Sequence, residues 1–432
     1  MADFTRADVV HLLRRAGFGG KPAEIDALVA LPSWAAVVDR VLDTSATPAD
    51  TIPAAVDDDV DRYYPPWVAA VQYWLDRMAT TPTPIVEKMA LFWHGNLASS
   101  TDAALPRHLF RQIKTYRSLG LGDVHDLLQA MAIDPAMLQY LNNASNVAAE
   151  PNENFARELM ELFTLGNGAF TEQDVIEMAR AWTGYNYDRD GEQFIYRANK
   201  HDTGSKTIFG ITRNWTGPEA LTEIVRGSRQ ATCARFLATK IWSFFAYPGP
   251  SSTIVDALAA AFTSSGMNVK ALLRAVFLRP EFRLATTRTA LVRSPIEYFV
   301  ATMRAVGMDA ATLHPEWWLE PMGQAPYQPP NVSGWKQNAA WISTSAQWAK
   351  GSFAGWVRWV ANDAGLLAGT GSLAPAAAAT AVLDRFGIDD PSPLTRKRIE
   401  EYVAREQAAR RTWAIPPNLV TLAMLSPDFQ LA

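Results

Sequence analysis

Cysteine is nearly absent: the 432 residues contain one, Cys233. A lone cysteine excludes intrachain disulfides and cysteine-based metal sites, and its setting in the apolar helical run QATCARFLATKIW marks it as a small buried hydrophobe. Long apolar runs are also missing. No segment approaches the ~18 residues of a membrane span, and the opening MADFTRADVVHLLRRAGFGG lacks the apolar core of a secretory signal. The chain as written is therefore expected to be soluble and cytoplasmic; an extracytoplasmic location would require that it had been trimmed. Charge of one sign is nowhere concentrated. Forty Lys plus Arg stand against 44 Asp plus Glu, for a net charge of −4, and the longest acidic block is the short DDDVD at 57 to 61. Nucleic-acid binding needs clustered cations and is not expected. Several catalytic signatures are absent as well: there is no G-x-S-x-G elbow, no Walker A loop and no Rossmann glycine fingerprint in context. The six histidines include no His-x-x-x-His pair, which argues against a His-rich zinc site.

What the chain does have is helical periodicity. Segments such as RADVVHLLRRAG, WVAAVQYWLDRMAT, IVEKMALFWHGNL, EQDVIEMARAWTG and PIEYFVATMRAVG repeat apolar residues at i, i+3, i+4 and i+7, with Pro or Gly between them. The expected fold is mainly α, a multi-helical single domain over residues 1–365. An Ala/Gly/Pro linker follows at 366–379, then C-terminal helices at 380–432 packed on the main domain. A second loop or linker is expected at 44–67. Two departures from helix stand out. YNYDRDGEQFIYRANKHDTGSKTIFG places aromatic, alternating runs on either side of Asp-Arg-Asp-Gly, which predicts a small β-hairpin near 185–210, turning at Asp190-Gly191 and running on into a loop. A calcium loop at Asp188 and Asp190 is not expected, because the remaining ligands are missing at the required spacing. The Pro, Gly, Asn and Trp segment near 321–348 has too few helical periods to fold alone and must lie on the helices as a lid or pocket wall.

Candidate chemistry centres on PNENFARELMEL, residues 151 to 162. In a helix starting at Pro151 or Asn152, Glu153, Asn154, Arg157, Glu158 and Glu161 form one polar stripe, with Phe155, Leu159 and Leu162 opposite. Such a stripe is either a solvated face with i,i+4 ion pairs or one wall of a site, in which three carboxylates need Arg157, a metal or hydrogen bonds to hold them together. The next helix begins with a capping box, Thr171 and Asp174. Beyond it, His201, Asp202 and Lys206 occupy an irregular loop, where His201-Asp202 suits an acid/base or ligand pair. His94 ends an apolar helix. Together these residues predict a composite site: His94, Glu153, Glu158, His201 and Asp202 as catalytic groups, and Asn154, Arg157, Lys206 and Trp335 contacting substrate. Glu158, Glu161 and His201 are the ligands of a divalent metal, if one is bound.

The stretches HLLRRAGFGG, EKMALFWHGNLASS, NENFARELMELFTLGNGAFTEQDVIEMARAWTGY, HDTGSKTIFG, RSPIEYFVATMRAVG and GQAPYQPPNVSGW resemble the domain-of-unknown-function 1800 family of bacterial proteins. The resemblance runs from residue 11 to about 350. It implies neighbours of sulfatase-like or phosphatase-like type and frequent export. The chain departs from the family pattern at Asn96, two residues beyond His94, and at Phe163, where relatives often carry histidine. The expected function is an enzyme acting on an anionic or saccharide-like small molecule by hydrolysis or group transfer, with metal assistance left open. The alternative is a non-catalytic binding or accessory protein for a sulfatase- or phosphatase-like partner, with the polar stripe a buried network. A weaker third reading has Arg15, Lys206 and the AGFGG loop binding nucleotide phosphates; those glycines are better explained as a helix C-cap.

Overall fold

The computed structural model describes residues 3–51, 53, 56, 64–188 and 193–432. The expected turn at Asp190-Gly191 and the DDDVD block lie outside the described residues. Proline opens helices in this chain. It occupies the first turn of Pro22–Val29, Pro84–Asn96, Pro106–Leu119, Pro295–Val306, Pro315–Met322, Pro375–Arg385 and Pro393–Ala408, where its missing N–H is no loss and its fixed φ suits the helix. Capping boxes at Thr5/Asp8, Thr171/Asp174, Thr216/Glu219 and Ser294/Glu297 fix other starts, each satisfying two otherwise orphaned backbone donors. The AGFGG segment behaves as a helix end: Gly17 caps Arg6–Ala16, and Gly19, at φ +97°, donates its N–H to the Leu13 carbonyl.

The architecture is mainly α, as the periodicity predicts, and among the described residues the only strands form two short antiparallel hairpins. In the first, β1 (Tyr185–Tyr187) pairs with β2 (Phe194–Tyr196). The second was not foreseen. β3 (Lys206–Ile208) pairs with β4 (Ile211–Arg213) through Phe209-Gly210, both at positive φ, the conformation that a two-residue hairpin turn of the right twist requires.

Buried side chains form a continuous apolar cluster from Phe4 to Phe429, with Trp74, Trp93, Trp182, Trp215 and Trp242 almost wholly enclosed. Cys233 belongs to it, and burial pushes its thiol up to about 12. The 366–379 tract contains a 3-10 turn, Thr370–Ser372, and the start of Pro375–Arg385, and Gln407 donates to the carbonyls of Gly371 and Leu373. The Ile415–Leu425 helix lies along Thr344–Asp363, and the Phe429 ring packs on Tyr298. Among the described residues no helix is long and apolar enough to cross a membrane.

One buried ionic cluster fastens the N-terminal half. Glu87 accepts from Trp74 Nε1 at 2.9 Å, Arg77 Nε at 2.6 Å and Arg117 Nε at 2.9 Å. Arg117 and Arg77 also face Asp50, at 3.0 and 3.4 Å. Two cations meet two carboxylates, so the charges close locally. Removing one partner strands the others in the interior, and Glu87→Ala is expected to lower unfolding free energy by about 3–5 kcal/mol. Urea denaturation measures this, and a loss under about 1 kcal/mol would mean that the cluster is solvated.

Candidate functional site

Among the described residues the stripe, the HDTGSK loop and His94 each have their own hydrogen-bond partners and share none. The stripe helix is short, Asn154–Glu158, and passes into a π-helical segment, Leu159–Thr164. Thr164 Oγ1 donates to the Leu159 carbonyl and Lys240 Nζ to that of Leu162, at 2.5 and 2.8 Å, which supports the widened turn. Arg157 spans from Glu153 to the well-exposed Glu172 on the next helix, so this end of the stripe is a salt-bridged face in contact with solvent. Asn154 is exposed. Glu158 is half-buried; burial, with the charge of Glu161 added, raises its carboxyl above the usual range.

The HDTGSK loop is a closed clamp. Asp202 takes Arg180 in a two-point contact at 2.7 and 3.3 Å and accepts the Gly204 N–H at 2.7 Å. Lys206 Nζ, with no exposed side chain, donates to the carbonyls of Asp202 and Gly204 and to Asn214 Oδ1. Burial lowers the Lys206 ammonium, against the pull of Asp202. His201 Nδ1 lies 2.9 Å from the Thr183 carbonyl. These contacts join the loop to the Glu172–Ala181 helix and occupy Asp202 and Lys206, leaving His201 Nε2 buried without a partner.

His94 is elsewhere again. It is fully buried among Trp74, Tyr327 and Trp335, and its Nε2 accepts the Tyr327 N–H at 3.0 Å. Burial pushes the imidazole down to about 3, so it is neutral and pins the loop. Among the described residues no hydrogen bond, ion pair or ring contact joins His94 to the stripe or the clamp. Nor, among the described residues, do any three His, Cys, Asp or Glu side chains cluster so as to hold a metal ion; Glu158 and Glu161 adjoin one another, and His201 turns Nδ1 to Thr183 while its buried Nε2 has no partner.

Trp335, in contrast, opens onto a cavity of about 210 Å³. Arg14 and Arg15 enter it from the last turn of Arg6–Ala16, Lys88 from Pro84–Asn96 and Glu297 from Pro295–Val306, while Trp335 and Trp341 wall it from the long loop. Lys88 and Glu297 are in direct ionic contact. Lys88 also donates to the Gly17 carbonyl at 3.2 Å, and Glu297 accepts the Ser294 N–H at 2.8 Å. Burial raises the Glu297 carboxyl, but Lys88 outweighs it and holds the group below the ordinary range.

The remaining cations have no such answer. Arg15 gives Nη2 to the Thr287 carbonyl at 2.6 Å, yet its Nε and Nη1 are buried without a partner, as is Nη1 of the adjoining Arg293. Burial pushes both guanidiniums down to about 9; Glu297 opposes this at both, Arg14 adds to it at both, and Arg293 adds to it at Arg15. Arg14 donates to the Gly387 carbonyl at 3.0 Å and senses Asp428, Asp389 and Asp390. Arg15 thus lines the cavity beside a carboxylate already taken by Lys88, and Arg293, which faces a neighbouring hollow, adds its charge from behind. Burying cations without matching counter-charge is unfavourable, and a bound anion would relieve it.

The loop is laid over this cavity by specific bonds. Gln324 Oε1 accepts the Ile296 N–H at 3.1 Å and Asn338 Oδ1 that of Val292 at 2.8 Å. Gly334, at φ +73°, sits so close to the helix end that an added Cβ would lie 2.0 Å from the Gly95 carbonyl oxygen. Sequence reasoning found Trp335 but not Arg14, Lys88, Arg293 or Glu297. Lys88 was hidden by its apolar run, and Glu297 doubles as the third residue of a capping box.

The molecule is thus a helical protein built around an enclosed cationic cavity. A sequence profile for the protein family of unknown function DUF1800 matches residues 11–431, and the chain belongs to that family. No curated protein and no solved structure matches it.

The neutrality of His94 has a measurable consequence. Unfolded histidine takes its proton near 6.5, the folded group only near 3. Between those values the unfolded state binds more protons, so stability falls as pH is lowered through the window. His94→Gln keeps an acceptor for Tyr327 without titrating. Its melting temperature, followed from about pH 7 to about pH 4, is expected to fall less steeply than that of the wild type; parallel curves would mean that His94 is already accessible to protons.

Proposed function

We propose that the protein is an enzyme that takes a small anionic, saccharide-like molecule into the cavity beneath the Trp335 loop and hydrolyses or transfers its anionic group. The observation that carries this reading is the pair of unpartnered nitrogens on Arg15, nine-tenths or more buried in a cavity whose one paired carboxylate is Glu297. Guanidinium and ammonium groups fixed in a dry site stabilise charge that develops on ester oxygens, and they need no reorganisation to do so. Trp335 and Trp341 supply flat apolar walls for a ring. An anion that draws Lys88 toward itself would release Glu297 to act as a general base.

A second reading, non-catalytic binding as an accessory to a sulfatase- or phosphatase-like partner, is favoured by one observation. Glu297 is committed both to Lys88 and to capping Ser294, which leaves no free base in the resting cavity. The readings share the anion and part on turnover.

Thermal unfolding in about 10 mM sodium sulfate or phosphate, against chloride at equal ionic strength, is expected to rise by a few degrees for the wild type. Arg15→Met should abolish that rise while leaving the anion-free melting temperature equal or higher, because an unpaired buried charge has been removed. No anion-specific rise in the wild type would overturn the site. Turnover of aryl phosphate or sulfate esters, lost in Glu297→Gln with sulfate stabilisation retained, would establish the enzyme over the binder.

A further inference from the structure

A second hollow, of about 300 Å³, lies on the other side of the Arg6–Ala16 helix. Helical geometry places it there: Arg14 and Arg15 point to the cationic cavity, and Leu13 and Ala16, half a turn away, line the second hollow. The helices Pro22–Val29 and Trp34–Val41 and the start of Pro84–Asn96 complete it with Leu28, Val41 and Ile85. Its chemistry is the reverse of its neighbour's. The charged groups at its rim are paired off, Arg304 with Glu24 at 2.6 Å and Arg40 with Asp43 at 3.6 Å. One end is polar without charge. The buried hydroxyls of Thr81 and Thr83 are 3.3 Å apart, and that of Thr83 is 3.0 Å from Thr47. Such a hydroxyl chain can turn to give or take one more hydrogen bond.

We propose that this hollow binds a neutral, largely apolar small molecule of about two fused rings, with one hydroxyl or carbonyl directed at Thr81 and Thr83. The size follows from comparison with dry cavities of about 150 Å³ that hold a single benzene. Neutrality follows from the pairing of the rim charges, since a charged ligand would have to break an existing ion pair to gain a partner. The polar end follows from the threonines. The combination of an apolar lining with a few convergent polar groups is what ligand pockets share, and the site is independent of the anion reading.

The test is calorimetric titration of the full chain with 2-naphthol, 2-methylnaphthalene and naphthalene-2-sulfonate. 2-Naphthol is expected to bind at one site per chain, several-fold tighter than 2-methylnaphthalene and at least about tenfold tighter than the sulfonate. Ala27 lines the hollow from an exposed helix position, so Ala27→Trp fills the space without disturbing the core. This substitution should weaken 2-naphthol by about tenfold or more and leave the sulfate-induced rise in melting temperature unchanged. No binding of 2-naphthol, binding that Ala27→Trp leaves intact, or equal binding of the sulfonate would each overturn the assignment.

Discussion

Lys88 and Glu297 meet inside the protein in the company of Arg14, Arg15 and Arg293, and this mismatch of charge constrains everything around it. Asp428, Asp389 and Asp390 act on Arg14, but the one carboxylate felt by Arg15 and Arg293 is Glu297, already paired with Lys88. The enclosing elements must therefore hold the cations against their mutual repulsion with what the fold offers: the carbonyl of Gly17 for Lys88, those of Thr287 and Gly387 for Arg15 and Arg14, and the ring of Phe429 beneath Arg293. Each support comes from a different part of the chain, so the N-terminal helix, the central helices and the C-terminal residues have to be assembled before the site exists.

The Glu87 cluster differs from this one in its charge balance. Glu87 and Asp50 answer Arg77 and Arg117 charge for charge, and Trp74 takes up a remaining lone pair. In the HDTGSK clamp, too, Asp202 and Glu177 answer Arg180, and oxygens surround Lys206. Charge-balanced networks of this kind rigidify a fold, even though Arg117 Nη2 and His201 Nε2 are left without partners. Around Arg15 the network stays open, the side of the bargain that stability alone would not select, and a loop bearing Trp335 covers the gap.

The helices were legible because they rest on local rules. Apolar periodicity, proline at the first turn and capping boxes all act within a few residues. The stripe at 151–162 showed what local rules miss. Its spacing was read as a regular α-helix, whereas Thr164 and Lys240 stabilise a π segment after Glu158, and Lys240 lies far along the chain. The second hairpin was also missed, since Phe209-Gly210 is a weaker turn signal than Asn-Gly. The site was the least legible part. Arg14, Lys88, Arg293 and Glu297 sit on three helices or their flanks with unremarkable neighbours, and only tertiary assembly leaves their charges unbalanced. One signal was available: HLLRRAGFGG, EKMALFWHGNLASS, RSPIEYFVATMRAVG and GQAPYQPPNVSGW, four of the six stretches that carry the family resemblance, converge on this cavity.

The central claim is that the cavity holds an anion against the open guanidinium of Arg15. Diffraction at the selenium edge from crystals grown without sulfate and soaked in sodium selenate tests it most directly. The account predicts an anomalous peak inside the cavity, about 4 Å or less from the Arg15 guanidinium and Lys88 Nζ. A cavity without a peak, with selenate confined to surface arginines such as Arg157, would contradict it.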